Sequence, residues 1–153
     1  MDCRYTRSEV LDSSDYTCSQ CRATGQASKQ LLLKRLPPIL SIQFKRFEHT
    51  IASKKIDAPV EFPLHLDMTP WLTAREDEVP KTYHAYTLFA VINHQGTLNT
   101  GHYTSFVRNK DLWYHFDDHL VTLTDETTVL QSNAYQLLLF HFSFIYRFFL
   151  FCC

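Results

Sequence analysis

Residues 101–118 read GHYTSFVRNKDLWYHFDD and have the pattern of a β-hairpin. Two runs rich in aromatic and β-branched residues, which favour strands, flank a short polar stretch. A two-residue loop at Asn109 and Lys110 fits this pattern, because Asn tolerates the positive φ that such loops need. The segment therefore predicts two antiparallel strands joined by a tight turn.

The expected register brings a histidine and a carboxylate together. With that loop, Phe106 lies opposite Trp113 and His102 lies opposite Asp117. Cross-strand Cβ atoms are about 4.5–5.5 Å apart, so Asp117 can accept a hydrogen bond from one imidazole nitrogen and leave the other as a base. Gly101 is expected to let a substrate approach closely. The alternative, a surface contact without chemistry, remains open.

The flanking sequence predicts more of the same sheet. Residues 83–92 are apolar on both alternating faces and predict a central strand, whereas residues 40–45 alternate with period two, as in a half-buried strand. Pro59 and Pro63 restrict a strand at 55–62 to an edge, where it would form a hairpin with the strand before it. Further predictions are strands at 31–35, 101–107, 112–123 and 135–141, a loop at 66–82 and a helix at 124–131. The predicted fold class is α+β, mainly antiparallel β.

Composition excludes several classes of protein. The 153 residues fit one domain, and 15 Lys+Arg against 16 Asp+Glu give no basic excess for nucleic acid. Five cysteines, at 3, 18, 21, 152 and 153, are an odd number with none between Cys21 and Cys152, which argues against a disulfide scaffold. The first residues lack the apolar region of a signal peptide, so we expect an intracellular protein.

Cys18 and Cys21 form a C-x-x-C pair, which indicates metal or redox chemistry. A structural zinc takes four ligands, so this pair is half of a site, which Cys3 or His49 could in principle complete. A redox role is disfavoured because the pair lacks the strand-to-helix setting of such motifs.

Six short motifs together resemble the C-terminal catalytic box of the ubiquitin-specific proteases. They cover residues 2–141 in family order. The motifs are Leu36-Pro37-Pro38-Ile39-Leu40, Phe44-Lys45-Arg46-Phe47, Val60-Glu61-Phe62-Pro63, His94-x-Gly96, Gly101-His102-Tyr103, and Trp113 with Phe116-Asp117-Asp118. Residues 45–49, 66–70 and 88–98 are especially similar to the subfamily that removes ubiquitin from histones inside the SAGA coactivator.

The resemblance implies part of a papain-like cysteine peptidase that hydrolyses the isopeptide bond at the ubiquitin C-terminus. Residues 1–28 would be part of the fingers and 29–141 the palm, with the thumb missing. His102 would be the general base, Asp117 its orienter, and Asp118 a support for the oxyanion region or the local network.

The same resemblance leaves two functional groups incomplete. Cys18 and Cys21 match the second cysteine pair of the family's zinc ribbon, whose first pair would precede Met1. No residue matches the nucleophilic cysteine, and Cys3 resembles an ordinary palm segment instead. We therefore expect a fragment, inactive alone; the alternatives are a catalytically inactive ubiquitin-binding or complex-assembly module, and a truncated transcript with no stable product.

The expected partners are ubiquitin and ubiquitinated proteins, including histones, and a coactivator complex, with neither nucleic acid nor a membrane. The location would be nuclear if the subfamily resemblance holds, and cytoplasmic otherwise. Strands 88–92 and 103–107 are expected to present apolar faces that another part of the enzyme covers, so the chain alone should associate.

Two features are left open. His94 could line the same cleft as His102 or be a hydrogen-bonded turn residue. Residues 142–153 form a hydrophobic tail without a family counterpart. The tail is shorter than the roughly 20 apolar residues of a membrane span and is interrupted by Arg147. We expect it to derive from a reading frame that runs past an exon end.

Overall fold

The computed structural model describes residues 6–11, 17–22, 24–25, 27–48, 54–73, 84–97 and 100–141. The chain divides into two compact units, one of Met1–Arg35 with Pro70–Glu78 and one of Leu36–Thr69 with Val79–Cys153. Several sequence expectations fall outside the described residues: Cys3, His49, the charged stretch at 75–78 and the tail at 142–153.

The smaller unit contains two short strands, β1 (Glu9–Leu11) and β2 (Ala27–Lys29), which pair antiparallel. The strand predicted at 31–35 is reduced to one parallel bridge between Leu33 and Leu72. There the Leu33 N–H donates to the Trp71 carbonyl at 2.8 Å, and the Leu33 carbonyl accepts from the Thr73 N–H at 3.0 Å. A strand needs a partner along its length, and here only Leu33 has one.

The larger unit is built on a seven-stranded sheet. Its elements are β3 (Ile39–Gln43), β4 (Phe47–Glu48), β5 (Lys54–Lys55), β6 (His65–Asp67), β7 (Ala85–Gly96), β8 (Gly101–Asn109), β9 (Leu112–Asp117), β10 (Leu120–Thr124), α1 (Glu126–Leu130) and β11 (Ala134–His141). A 3-10 turn (Thr69–Trp71) lies between β6 and β7 in the chain. The strand order is β10-β9-β8-β7-β11-β3, with β6 also paired to β7, while β4 and β5 pair separately; each of these pairings is antiparallel. The mainly antiparallel fold class is confirmed.

The central strand expected at 83–92 is confirmed as β7. One edge of β7 pairs with β11, and the other is shared by β6, which pairs with residues 85–87, and β8, which pairs with residues 90–96. The largest fully buried side chains are Tyr86, Leu88, Val91, Val129, Leu137 and Leu139.

The apolar side chains of the central strands are buried only in part. Leu88 and Val91 are fully buried and Phe106 is 7% exposed, whereas Tyr103 is 54% exposed. The expectation that these faces are covered by another part of the enzyme therefore stays a prediction. Burial also raises the pKa of Tyr86 to about 12, and its hydroxyl donates to the Pro37 carbonyl.

The register expected for the β8–β9 hairpin is wrong by one loop position. The loop is Lys110–Asp111, with φ of 56° at Lys110, so Phe106 pairs with His115 rather than with Trp113. Moving the loop by one residue displaces each partner by two, which leaves every side chain on the face it had. The hydrophobic pattern therefore could not distinguish the two registers.

The strand expected at 112–123 is a second hairpin, because the chain turns at Asp118 and His119 between β9 and β10. Asp118 has a φ of 50° there. The helix expected at 124–131 is α1 (Glu126–Leu130); its N-cap is Asp125 rather than Thr124, and the Asp125 carboxylate accepts from the Thr128 N–H at 2.8 Å. The prediction of a loop at 66–82 is also wrong for its first residues, which belong to β6 and the 3-10 turn.

The hairpin expected between residues 40–45 and 55–62 does not form, since β3 pairs with β11. The segment after β5 is hydrogen-bonded to Arg46 instead, and Arg46 is only 3% exposed. Its Nη1 donates to the carbonyls of Ile56 (3.0 Å) and Ala58 (2.9 Å), and its Nε donates to the carbonyl of Ala134 (2.7 Å). These bonds replace a strand ladder.

No helix within the described ranges is long and apolar enough to cross a lipid bilayer.

Candidate functional site

His102 on β8 and Asp117 at the end of β9 are in direct contact. The Nε2 atom of His102 lies 2.5 Å from Oδ1 of Asp117, and both side chains are about half exposed. The β8–β9 pairing ends at Ser105 and Phe116, so continuing the same register sets Thr104 opposite Asp117. His102 is two residues further along β8, and it meets Asp117 diagonally on the shared face.

The contact leaves one imidazole nitrogen available for chemistry. Because Asp117 accepts from Nε2–H, the neutral ring carries its lone pair on Nδ1, which has no hydrogen-bond partner among the described residues. The hydrogen bond to Asp117 raises the pKa of His102, partial burial opposes this, and the charges of Asp117 and Asp118 add to it. Asp118 lies beside the pair: a ring nitrogen of His102 and one carboxylate oxygen each of Asp117 and Asp118 lie within 4.8 Å of one another. The His102 imidazole can therefore take a proton from a nearby acid through Nδ1.

His94 is a strand residue rather than a turn residue, and it is among the residues that line the cavity described below. It lies in β7, opposite Tyr103, whereas Gln95 lies opposite His102. Successive side chains of a strand point to opposite faces, so His94 and His102 are on opposite sides of the sheet. Its side chain is 6% exposed, and burial lowers the pKa of His94.

Gly101 has a different role from the one expected. A Cβ atom at this position would lie 2.1 Å from Nε2 of His94 and 2.6 Å from the Gln95 carbonyl oxygen. The space beside Gly101 is therefore filled by the protein's own histidine rather than left to a substrate.

A cavity of about 510 Å³ lies beside β7 and β8, and His94 is among its lining residues whereas His102 is not. Its lining includes Gln95, directly opposite His102, and Thr104, two residues along the same face. Three lining residues carry buried polar side-chain atoms without a hydrogen-bond partner: Asn93 Oδ1, Ser132 Oγ and Asn133 Oδ1. Buried polar atoms normally have a hydrogen-bond partner. These three atoms are therefore available to form hydrogen bonds with polar groups of a molecule that enters the cavity. No local sequence pattern points to these three residues, because two of them follow α1 and only the fold brings them near Asn93.

Cys18 and Cys21 lie in a tight turn of the smaller unit, closed by the Arg22 N–H donating to the Cys18 carbonyl at 2.8 Å. Hydrogen bonds from the backbone of Cys21 and Gln20 lower the pKa of Cys18. A lowered thiol pKa favours the thiolate, which is the form of cysteine that binds zinc. Within the described parts of the chain, neither cysteine is in a group of three potential ligands.

Comparisons with known proteins agree on one family. Residues 9–139 match the family described as ubiquitin carboxyl-terminal hydrolase. The chain is 40% identical over 146 residues to ubiquitin carboxyl-terminal hydrolase nonstop of Drosophila melanogaster, covering 92% of this chain and 29% of that protein. It is 42% identical over 160 residues to ubiquitin carboxyl-terminal hydrolase 22 of Homo sapiens, covering 94% of this chain and 30% of that protein.

Solved structures show the same similarity. The SAGA deubiquitinase module of Ubp8, Sgf11, Sus1 and Sgf73 bound to monoubiquitin contains a chain that is 33% identical, with a TM-score of 0.75. The same module bound to ubiquitin aldehyde contains one that is 32% identical, with a TM-score of 0.76. These matches cover 90% of this chain and 30% and 31% of those chains, respectively. The chain thus spans about 30% of the length of its relatives.

Proposed function

The chain belongs to the ubiquitin carboxyl-terminal hydrolase family, and we propose that it provides the general-base half of a thiol-dependent deubiquitinase. The observation that carries this proposal is the 2.5 Å contact between Asp117 and His102. Asp117 fixes the ring through Nε2, and Nδ1 takes the proton from a thiol. The thiolate attacks the isopeptide carbonyl, and the protonated His102 then returns the proton to the leaving lysine amine.

The thiol must come from outside the stretch that carries the base. The sequence contains no cysteine between Cys21 and Cys152. The described residues of the larger unit therefore include none, which favours a second candidate function: a ubiquitin-binding or complex-assembly module without catalysis.

A chimera separates these two functions. Residues 9–139 would replace the matching segment of human ubiquitin carboxyl-terminal hydrolase 22, which supplies the rest of an enzyme. We expect the chimera to hydrolyse a fluorogenic amide of the ubiquitin C-terminus. His102→Gln should lower kcat/KM by about 10²–10⁴, the usual contribution of a general base. His65→Gln, at another exposed histidine, is the matched control and should retain activity.

A chimera that folds and binds ubiquitin without hydrolysing the reporter would reject the catalytic role and favour the binding module. Folding would be checked by the thermal melt, and ubiquitin binding by calorimetry.

The proposed partners follow from the solved neighbours, which contain ubiquitin and the Sgf11, Sus1 and Sgf73 subunits of SAGA. We propose that this chain acts on ubiquitinated proteins, histones among them, within a coactivator complex in the nucleus. Co-purification of the tagged chain with counterparts of these three subunits tests the proposal, and recovery of the chain without any of them would contradict it.

We also propose that Cys18 and Cys21 provide two thiolate ligands of a structural zinc, with the remaining ligands from outside the described residues. The lowered pKa of Cys18 supports this proposal. Binding of Co²⁺ as a zinc substitute should give thiolate-to-metal absorption that Cys18→Ser and Cys21→Ser each reduce, while Cys152→Ser does not. Equal absorption in all variants would exclude the pair as ligands.

A further inference from the structure

We propose that His94 is a positioning residue, which fixes the backbone around His102 from the opposite face of the sheet. This inference rests on the proposed role of His102 as general base. His94 acts through the shape of its ring rather than by exchanging protons.

The segment that carries His102 has only one neighbouring strand. Among the described residues, β8 pairs with β9 only from Ser105 to Asn109, whereas it pairs with β7 along residues 101–107. The position of residues 101–104 is therefore set from the β7 side, where Gln95 lies opposite His102 and His94 lies opposite Tyr103.

The ring of His94 fills the space beside this segment. A Cβ at Gly101 would lie 2.1 Å from its Nε2 and 2.9 Å from its Cε1, so the imidazole rests directly on the glycine. The ring centroids of His94 and Tyr103 are 4.6 Å apart. The imidazole thus contacts the residue before His102 and the residue after it.

His94 is itself fixed by its surroundings. Its ring packs against Phe47 and Tyr135, with centroids 5.8 Å away in each case. Lys55 Nζ donates to the His94 carbonyl at 2.8 Å. A side chain confined on these sides transmits its position to Gly101 and Tyr103, because packed interiors do not deform continuously.

The ring acts by packing and not by proton transfer. It lies on the face opposite His102, its Nδ1 is buried without a hydrogen-bond partner, and burial lowers the pKa of His94. The nearby charges are Lys55, which lowers this pKa further, and Asp57, which raises it. A neutral aromatic ring of similar size should therefore replace it.

The test measures the His102–Asp117 contact directly, by NMR titration of the His102 ring in the full 153-residue chain. Asp117→Asn gives the reference for a lost contact. His94→Ala should move the His102 pKa most of the way to the Asp117→Asn value, while His94→Phe should leave it at the wild-type value. Leu139→Ala, at a buried site on β11, is the matched control: it should lower the melting temperature without moving the His102 titration.

An unchanged His102 pKa in His94→Ala would overturn the proposal. So would a decrease of the His102 pKa in His94→Phe equal to that in His94→Ala. If His94→Ala does not fold, Gly101→Ala disturbs the same contact from the other side and should also lower the His102 pKa; an unchanged pKa there would reject the inference. Since the titration requires no turnover, an inactive chimera with this titration pattern would reject only the proposed catalytic function.

Discussion

Asp117 contacts His102 across a diagonal of the sheet, through Nε2 and at 2.5 Å, although it is not the residue directly opposite. The carboxylate lies at the end of β9, where the chain turns at Asp118. The turn therefore places a second negative charge next to the same ring, and His102 has one carboxylate that bonds to it and another that only attracts it.

The two carboxylates should have effects of different size on the His102 pKa. The hydrogen bond that His102 donates to Asp117 is the largest cause of the raised pKa, and the charge of Asp118 is a smaller one. NMR titration should give the highest pKa for the wild type, a slightly lower one for Asp118→Asn and the lowest for Asp117→Asn. Equal values for both variants would contradict the assigned contact.

The contribution of His102 to the stability of the chain should decrease as the pH rises. Because the folded-state pKa of His102 is raised, protonation favours the folded state. This contribution is complete below the unfolded pKa of about 6.5 and is lost as the pH rises through the folded-state value. Urea unfolding should show this loss in the wild type and a weaker one in Asp117→Asn.

The purified chain should not hydrolyse a fluorogenic ubiquitin C-terminal reporter. The sequence has no cysteine from residue 22 to residue 151, so His102 has no thiol on its own sheet to activate. Turnover that survives His102→Ala would come from a contaminant. Turnover abolished both by His102→Ala and by Cys3→Ser would show that the chain contains its own nucleophile.

Arg46 should be essential for the fold of the larger unit. It is almost fully buried and donates to three carbonyls, and hydrogen bonds to charged groups contribute about 1.5–3 kcal/mol each. Arg46→Met leaves these carbonyls without their donor, but it also removes a buried charge whose Nη2 has no hydrogen-bond partner among the described residues, so the net loss of unfolding free energy should be on the order of 3 kcal/mol. The exposed neighbour provides the control Lys45→Met, which should have little effect; similar denaturation midpoints for both variants would contradict the role of Arg46.

Strand β10 should drive self-association of the isolated chain. Among the described strands it pairs only with β9, and Val121 and Leu123 are 50% and 65% exposed on one face. Exposed apolar edge strands associate readily. Val121→Lys should therefore reduce the mass seen by light scattering, whereas Thr122→Lys, which adds the same charge on the other face, should not. A monomeric wild type would contradict this prediction.

The sequence predicted the His102–Asp117 contact and the central strand because both depend on local alternation. Alternation assigns side chains to faces, and an error of one loop position keeps those faces, so the contact survived a wrong register. The role of Arg46 and the cavity beside Asn93 could not be predicted in this way. Both join residues far apart in sequence, and only the packing of the sheet brings those residues together.

The pairing of β3 with β11 has a consequence for how the chain is made. Gln136 bonds to Ser41 across 95 positions of sequence, and the β3–β11 ladder runs beside this contact. Contacts between such distant residues form slowly, since a long loop must close first. During synthesis at about 5–20 residues per second, β3 therefore waits on the order of ten seconds for its partner strand. Throughout that time its apolar residues are available to chaperones and to other nascent chains.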